Sequence, residues 1–236
     1  MSRVDIIIPA YNPGEYIHDA LRSAFGQSFD DIGVIVVDDC SDNSLESLAS
    51  LYPGIKYYRT SKNSGVSAAR NLAITNSSAE FISLLDADDI MHRDKIKESL
   101  SVLDSQKNIG MTCGNYRVIY NRKKLCRPFY SKNINITYPL LMRQNFVASG
   151  STTIRRSVLD DVGAFDESLW ISEDYDMWLR ISEKYKIKYI NKVLYYYSVI
   201  PDSESLTNRF DSKSAGEKNS SLIRGRSRDR VRGILP

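Results

Sequence analysis

A short apolar segment runs directly into three carboxylates at Phe81-Ile82-Ser83-Leu84-Leu85-Asp86-Ala87-Asp88-Asp89. In an open α/β sheet, ligands bind in the crevice beyond the carboxyl ends of the strands. If the chain stays extended, Asp86 and Asp88 lie on one side of it and can share a cation. Mg²⁺ and Mn²⁺ prefer such hard oxygen ligands, and proteins usually hold Mg²⁺ with one or two carboxylates plus substrate phosphates. The stretch predicts a site for a metal-bound phosphorylated ligand, and the alternative is an acidic turn that caps the next helix.

Residues 1–90 alternate between apolar runs and helical periodicity, an order that is typical of a doubly wound, mainly parallel sheet. Asn12 is expected to cap the first helix, with Pro13 at its first position and Glu15 closing a capping box. The predicted strands are Val4–Ala10, 32–37, Ile55–Arg59 and 81–85, and the further predicted helices are 45–52 and 66–74.

The pattern is mixed in residues 91–208, and no linker separates them from the first half. We therefore expect one α/β domain over 1–208, in which the parallel sheet continues into a mixed lobe. The predicted elements are helices at 96–103, 138–145, 157–162 and 175–185, strands at 111–120 and 188–199, a polar hairpin tip at 121–124, and Gly163 as a helix C-cap.

The composition is that of an ordinary soluble globular protein, with 42% hydrophobic and 26% charged residues among 236. No apolar run approaches the roughly 20 residues that are needed to cross a bilayer. Cys40, Cys113 and Cys126 lack the spacing of a metal site and are expected to be ordinary thiols in a reducing compartment. These features predict a cytoplasmic location.

The charge is concentrated at the end of the chain. Residues 209–236 carry eight Lys or Arg and three acids, a net charge of +5, whereas residues 1–208 carry −2. Because this segment is also poor in large apolar residues, we expect a poorly ordered tail outside the core. A basic tail suits peripheral contact with an anionic membrane on its cytoplasmic face, and the alternative is a solvated end. We expect no nucleic-acid partner.

Polar residues follow three predicted strands, at Tyr11-Asn12, Asp38-Asp39 and Asp86. The carboxyl ends of parallel strands share one edge of a sheet, so these side chains are expected to converge. Tyr11 offers a ring face to a base, and Asp39 can accept a hydrogen bond from a base N–H. Arg70 is suited to pairing with phosphate or with one of the carboxylates. The alternatives are a helix cap for Asp38-Asp39 and an ordinary ion pair for Arg70.

Five motifs carry a resemblance to a known family. They are Val4-Asp5-Ile6-Ile7-Ile8-Pro9-Ala10-Tyr11-Asn12, Ile35-Val36-Val37-Asp38-Asp39-Cys40-Ser41, Asn63-Ser64-Gly65-Val66-Ser67-Ala68-Ala69-Arg70-Asn71, Leu84-Leu85-Asp86-Ala87-Asp88-Asp89 and Ser172-Glu173-Asp174-Tyr175-Asp176-Met177-Trp178-Leu179-Arg180. In order and spacing they resemble the family-2 glycosyltransferases, which have the GT-A fold. The similarity covers roughly residues 3–200.

The resemblance implies an inverting transfer of one sugar from a nucleotide-sugar, foremost a UDP-sugar, to a glycan or lipid-linked glycan acceptor. It implies bound Mn²⁺ or Mg²⁺ at Asp88 and Asp86, and Asp174 as general base with Glu173 beside it. Without the resemblance, Glu173 and Asp174 are favourable negative charges at a helix N-terminus. Residues 1–90 become the nucleotide-binding half and 91–208 the acceptor half. The implied nucleotide-sugar contacts are Pro9, Ala10, Tyr11, Asn12, Glu15, Asp39, Arg70, Asp86 and Ala87.

The sequence departs from the family in two ways. It lacks the Gln-x-x-Arg-Trp element of processive synthases, so a non-processive hexosyltransferase is expected. Ile200 stands where many relatives have a His that closes the donor site. The alternative function is therefore a nucleotide-sugar-binding module with little transferase activity. A metal-dependent nucleotidyltransferase is a third alternative, but it predicts a Gly-rich phosphate loop where this chain has Tyr11-Asn12-Pro13-Gly14.

Overall fold

The structure, a computed structural model, describes residues 1–120 and 133–199 and the backbone of 124–125. Predictions about 121–123, Cys126, Ile200 and the tail 209–236 lie outside these residues. Among the helices of the described ranges, none combines the length and apolar character that crossing a bilayer requires.

The chain alternates strands and helices, as the sequence predicts for its first half. The strands are β1 Val4–Ala10, β2 Ile32–Asp38, β3 Ile55–Arg59, β4 Phe81–Leu84, β5 Ile90–Met91, β6 Ile109–Tyr120, β7 Lys124–Leu125, β8 Thr152–Arg155 and β9 Lys186–Val199. The helices are α1 Tyr16–Phe25, α2 Leu48–Leu51, α3 Val66–Thr75, α4 Lys95–Ser105, α5 Tyr138–Leu141, α6 Arg156–Val162 and α7 Glu173–Lys184, with a short 3-10 helix at Ser149–Ser151.

One sheet runs through both halves of the described chain, in the order β3-β2-β1-β4-β8-β6-β9-β5, and β7 pairs with β6. The first four strands are parallel, because β1 pairs in parallel with β2 and β4, and β2 with β3. β8 is antiparallel to both β4 and β6, whereas β6 and β9 are parallel. The predicted parallel sheet that continues into a mixed lobe is confirmed.

The central strand β1 is buried along its whole length because both faces of the sheet are covered. Ile6 and Ile8 lie in one apolar cluster with Leu21 of α1. Ile7, between them, lies in a second cluster with Ala69 of α3. Alternate side chains of a strand point to opposite faces, so a strand covered on both faces needs a continuous apolar run.

A buried lysine joins the two halves of the sheet below the edge where β4 ends. Lys95 is fully buried, and its Nζ donates to the backbone oxygens of Leu84 at 2.8 Å and Gly150 at 2.6 Å. Burial lowers the pKa of this amine to about 7, although the charge of Asp86 opposes the shift. The lysine thus fixes the strand that precedes the carboxylates.

The predicted start of the first helix is wrong. α1 begins at Tyr16, Glu15 takes the cap position without a side-chain hydrogen bond, and Pro13 lies in the preceding loop. Asn12 has φ of +44° and bonds to the loop after β2 instead of to the helix. Asparagine tolerates this left-handed conformation, so Asn12 fits a position in the loop better than the N-cap position of the helix.

Other differences concern boundaries and short strands. α2 and α5 are single turns, shorter than the predicted 45–52 and 138–145, while α7 begins two residues before the predicted 175. Gly163 caps α6 with φ of +87°, as predicted. The sequence pattern does not predict β5 and β8, because they are short and lack an alternation of apolar and polar residues.

Candidate active site

The candidate site lies where β2, β1 and β4 end side by side. Ala10 ends β1, Asp38 ends β2, and Asp86 follows β4 by two residues. The backbone N–H of Asp39 donates to the oxygen of Ala10 at 2.7 Å, which joins the ends of the first two strands. The sheet therefore brings the predicted polar residues to one edge, as the strand order requires.

The loop after β1 is tied to the loop after β2. The N–H of Asn12 donates to Ser41 Oγ at 2.9 Å, and its side chain exchanges two hydrogen bonds with Asp42. Between Ala10 and this anchor, the side chain of Tyr11 is 43% exposed at the sheet edge. Glu15 is exposed and lies four residues farther on, at the start of α1. The anchored loop presents the Tyr11 ring to solvent.

Asp39 is buried and anchors the loop that leads into α3. Its carboxylate accepts hydrogen bonds from Thr60 Oγ1 at 2.8 Å and from the N–H groups of Ser64 at 3.0 Å and Gly65 at 2.7 Å. Gly65 has φ of +88°, and the exposed ring of Trp170 lies against it. Both oxygens of Asp39 are thus engaged, so a base N–H would add a further hydrogen bond to them.

Asp38 has a structural role, although it does not cap a helix, because the cap position of α2 is Ser47. Its buried carboxylate accepts from the N–H groups of Ser41 at 2.8 Å and Leu45 at 3.1 Å, and it pairs with Arg59. Burial favours the protonated form, but these hydrogen bonds outweigh it and hold the pKa of Asp38 below its ordinary value. Asp38 therefore stabilises the segment that leads into α2.

Arg70 pairs with two carboxylates. Its buried guanidinium donates from Nη1 to Glu173 Oε1 at 2.7 Å and from Nη2 to Asp86 Oδ1 at 3.0 Å. The same group lies over the ring of Phe165, 5.3 Å from its centre. With a side chain only 3% exposed, Arg70 orients Asp86 and Glu173, which is the carboxylate pairing that its sequence position allowed.

The three carboxylates after β4 lie in a turn and not in extended chain, so the expectation of an extended Asp86–Asp88 segment is wrong. The N–H of Asp89 donates to the oxygen of Asp86 at 3.1 Å, which closes the turn around the buried Ala87. Asp89 points into the protein, where it accepts from Tyr195 and from the N–H of Ser198 at 2.6 Å. Tyr195 also donates to Asp86 at 3.3 Å.

The turn leaves Asp88 as the carboxylate best suited to a cation. Burial first, and then the charge of Asp86, raises the pKa of Asp88 to about 6. Among the described side chains, no Lys or Arg forms an ion pair with Asp88, and no cluster of three or more His, Cys, Asp or Glu could hold a metal. Asp86 is paired with Arg70 but Asp88 beside it has no such partner, and this arrangement fits a site that is completed by a divalent ion and substrate phosphates.

Glu173 and Asp174 open α7, and they face different surroundings. Glu173 is held by Arg70, while Asp174 lines a cavity of about 250 Å³ together with Asp86. Burial first, and then the charge of Glu173, raises the pKa of Asp174 above its ordinary value, and Arg70 opposes the rise. Both acids also lie at a helix N-terminus, where negative charge is favourable.

The remaining walls of this cavity come from residues that the sequence motifs do not include. The run of tyrosines at 195–197, in a strand pattern, is the available sequence signal for two of them, Tyr195 and Tyr197. The cavity is lined by Tyr116, Val118, Ala148, Ser149, Tyr195 and Tyr197, besides the two carboxylates.

Comparisons with known proteins agree on family and fold. A family model described as glycosyl transferase family 2 matches residues 5–163. An uncharacterized glycosyltransferase of Rickettsia typhi is 33% identical over 195 residues, which are 77% of this chain and 60% of that protein. The structure of S. aureus TarS 1–349 in complex with UDP-GlcNAc matches with a TM-score of 0.73 at 22% identity, over 86% of this chain and 60% of that one.

A second solved structure has the same fold. The mannosyltransferase PcManGT from Pyrobaculum calidifontis, in complex with GDP-Man and Mn²⁺, matches with a TM-score of 0.70 at 19% identity, over 87% of this chain and 59% of that one. The chain thus spans about 60% of the length of each of these three proteins. These likenesses confirm the fold that the sequence predicts.

Proposed function

The chain belongs to glycosyl transferase family 2 and has the GT-A fold, and from this premise we propose that it transfers one sugar from a nucleotide-sugar to an acceptor. The donor is foremost a UDP-sugar, and the acceptor is a glycan or lipid-linked glycan. Transfer is non-processive, depends on Mn²⁺ or Mg²⁺, and inverts the configuration of the anomeric carbon.

The observation that carries this proposal is the shared cavity of Asp174 and Asp86. In an inverting transfer, the acceptor hydroxyl loses its proton as it attacks, and a carboxylate within reach can take that proton. Asp174 fits this role because it faces the cavity and its raised pKa makes it a stronger base than an ordinary carboxylate. Glu173 is engaged by Arg70 and positions the helix start instead.

The nucleotide side of the site is built from the ends of β1 and β2. Tyr11 offers an exposed ring for the base, and Asp39 lies beneath the loop next to it. Asp88 and Asp86 would hold the divalent ion, which, when bound, supplies Lewis-acid stabilisation of the leaving diphosphate. Arg70 and Tyr195 fix the orientation of Asp86 for this task.

A panel of nucleotide-sugars tests the proposed function. The purified chain is incubated with UDP- and GDP-sugars, Mn²⁺ and a mixture of glycan acceptors, and release of nucleoside diphosphate is measured. We expect release with one donor, a product longer by one sugar, and loss of release after chelation. Donor binding without any release would favour the nucleotide-sugar-binding module, and absence of both would contradict the proposal.

A further inference from the structure

Trp170 lies in the connection between α6 and α7, residues 163–172, and it is 67% exposed. This connection is fixed to α3. Asn71 of α3 donates from Nδ2 to the backbone oxygen of Phe165, and the N–H of Phe165 donates to Asn71 Oδ1, both at 2.9 Å. Phe165 and Leu169 are buried in an apolar cluster that includes residues of α3. Trp170 is therefore an exposed ring on a segment that is held in place.

We propose that Trp170 stacks on the base of the bound nucleotide, so that the second half of the chain supplies one wall of the base site. The inference rests on the proposed function, since it assumes a nucleotide-sugar donor. It goes further by assigning a base contact outside residues 1–90, whereas the nucleotide-sugar contacts that the family resemblance implies all lie within them.

The position of the ring is fixed by its contact with Gly65. The Cζ3 atom of the indole lies 3.4 Å from the point where a β-carbon on Gly65 would stand. The N–H of Gly65 donates in turn to Asp39 Oδ2 at 2.7 Å, and Asp39 is the residue that is proposed to accept from the base. Trp170 is thus separated from this carboxylate by a single residue.

A second exposed ring lies next to the same residue. The N–H of Asp39 donates to the oxygen of Ala10 at 2.7 Å, and Ala10 is followed by the exposed Tyr11. Asp39 therefore has Tyr11 near its backbone and Trp170 near its carboxylate. An aromatic ring stacks on the flat face of any base, and a carboxylate accepts from a base N–H at the edge. Exposed rings beside a hydrogen-bond acceptor are thus suited to a base.

The acceptor is expected at a different place. The cavity beside Asp174 has walls from β6, β9 and the Ser149–Ser151 turn, whereas the ring of Trp170 rests on the loop that leads into α3. That loop is bonded to the end of β2, where the nucleotide side of the site is proposed. The nucleotide is therefore the part of the substrates that Trp170 is placed to contact.

Tryptophan emission measures this contact on the whole protein. The chain has two tryptophans, and Trp178 is fully buried, so the emission that acrylamide quenches comes foremost from Trp170. Trp170→Phe identifies the contribution of this ring by removing it. UDP and GDP are titrated with Mn²⁺, and calorimetry follows their binding. We expect the nucleotide that binds to protect Trp170 from acrylamide. Binding that leaves the quenching unchanged overturns the inference.

Two variants separate stacking from a purely structural role. Trp170→Ala should weaken binding of the nucleoside diphosphate about 5- to 150-fold, the usual worth of one base–aromatic stack. It should leave Mn²⁺-dependent binding of pyrophosphate, which has no base, unchanged. Trp170→Tyr keeps a ring and should lose less affinity. Phe25→Ala, an exposed aromatic residue at the far end of α1, is the matched control and should bind both ligands like the wild type.

The results that contradict the inference are equally specific. Equal loss of nucleotide and pyrophosphate binding in Trp170→Ala would show that the ring only supports the loop, and it would overturn the base contact. Wild-type affinity of Trp170→Ala for the nucleotide would overturn it as well.

The outcome is separable from that of the proposed function. Nucleotide binding without protection of Trp170 would leave the transferase proposal intact and overturn the base contact. Protection of Trp170 by a nucleotide, with no transfer from any nucleotide-sugar, would support the base contact and contradict the transferase proposal. A wild-type protein that binds neither UDP nor GDP would contradict both.

Discussion

Asp174 and Glu173 are adjacent in the sequence, but the structure gives them different tasks. Glu173 forms a buried ion pair with Arg70, and Asp174 faces the cavity. Only one of two neighbouring side chains at a helix start can reach an acceptor. The partner of Glu173 lies 103 residues away in the chain, and local sequence patterns carry no information about such a contact.

The first prediction concerns Asp174→Asn. It should lower kcat by about 10²–10⁴-fold, the usual worth of a positioned base, and leave donor binding nearly unchanged. Single-turnover rates at saturating donor separate the chemical step from binding. Glu173→Gln is the matched control and should be milder. A wild-type rate for Asp174→Asn together with an inactive Glu173→Gln would show that the roles are reversed.

The second prediction concerns pH. Asp174 must be ionised to accept a proton, so activity is present above its pKa and is lost as the pH falls through it. Burial and then the charge of Glu173 raise this pKa. Glu173→Gln removes that charge, so the acid limb of the kcat profile should move to lower pH. The rates are measured between pH 4 and 9. If the acid limb of Glu173→Gln lies at the same pH as that of the wild type, the charge of Glu173 does not act on the pKa of the base.

The third prediction concerns the metal site. Asp88→Asn should abolish Mn²⁺-dependent binding of UDP, because it removes the carboxylate that lacks a cation among the described residues. Calorimetry with UDP, with and without Mn²⁺, measures the effect. Asp104→Asn, an exposed carboxylate at the far end of α4, is the control. Unchanged Mn²⁺-dependent binding in Asp88→Asn would remove the metal assignment.

At the scale of elements, Asn12 and Asp39 form hydrogen bonds between loops instead of capping single helices. The sequence gives Asn12 the pattern of an N-cap, but in the structure its partners are Ser41 and Asp42 in the next loop. Asp39 likewise bonds to a distant loop, because its carboxylate accepts from the N–H of Gly65 before α3. Capping rules describe local competition for backbone groups, and a tertiary partner of equal chemistry overrides them.

The fourth prediction concerns that loop. Asp39→Ala should lower the free energy of unfolding by about 1–3 kcal/mol, because it leaves the N–H groups of Ser64 and Gly65 without their acceptor. It should weaken nucleoside diphosphate binding as well, since the loop borders the proposed site of the base. Urea unfolding and calorimetry measure the two effects, with the exposed Glu46→Ala as control. A loss confined to the KM of the acceptor would contradict the assignment of Asp39.

At the scale of the whole molecule, the parallel half of the sheet could be predicted and the mixed half only in outline. The strands at Val4–Ala10 and Ile55–Arg59 are bounded as predicted, because apolar runs between turn residues define them. β8 is not predictable from the sequence because Thr152–Arg155 is short and rich in polar residues, although it is buried between β4 and β6. The cavity walls could not be predicted because they require the pairing of β6 with β9.

The fifth prediction concerns global stability. The pKa of Lys95 is about 7 in the folded protein and near 10.5 when the lysine is exposed. Between these values the unfolded chain binds more protons, so the free energy of unfolding rises with pH, by at most about 1.4 kcal/mol per pH unit. Lys95→Met should lose this rise, and Lys97→Met, on the exposed side of the same helix, should keep it. Identical pH dependence in both variants, measured by urea unfolding, would contradict the buried neutral amine.

The position of Tyr195 in the chain has a consequence for how the protein is made. Its hydroxyl holds Asp86 and Asp89, which precede it by 109 and 106 residues. At a translation rate of 5–20 residues per second, the carboxylates leave the ribosome about 5–20 s before their partner. The segments of the four parallel strands have already left the ribosome throughout that interval, while the acidic turn still lacks its support from β9. A chain whose synthesis is interrupted in this window therefore carries the acidic turn without the tyrosine that holds it.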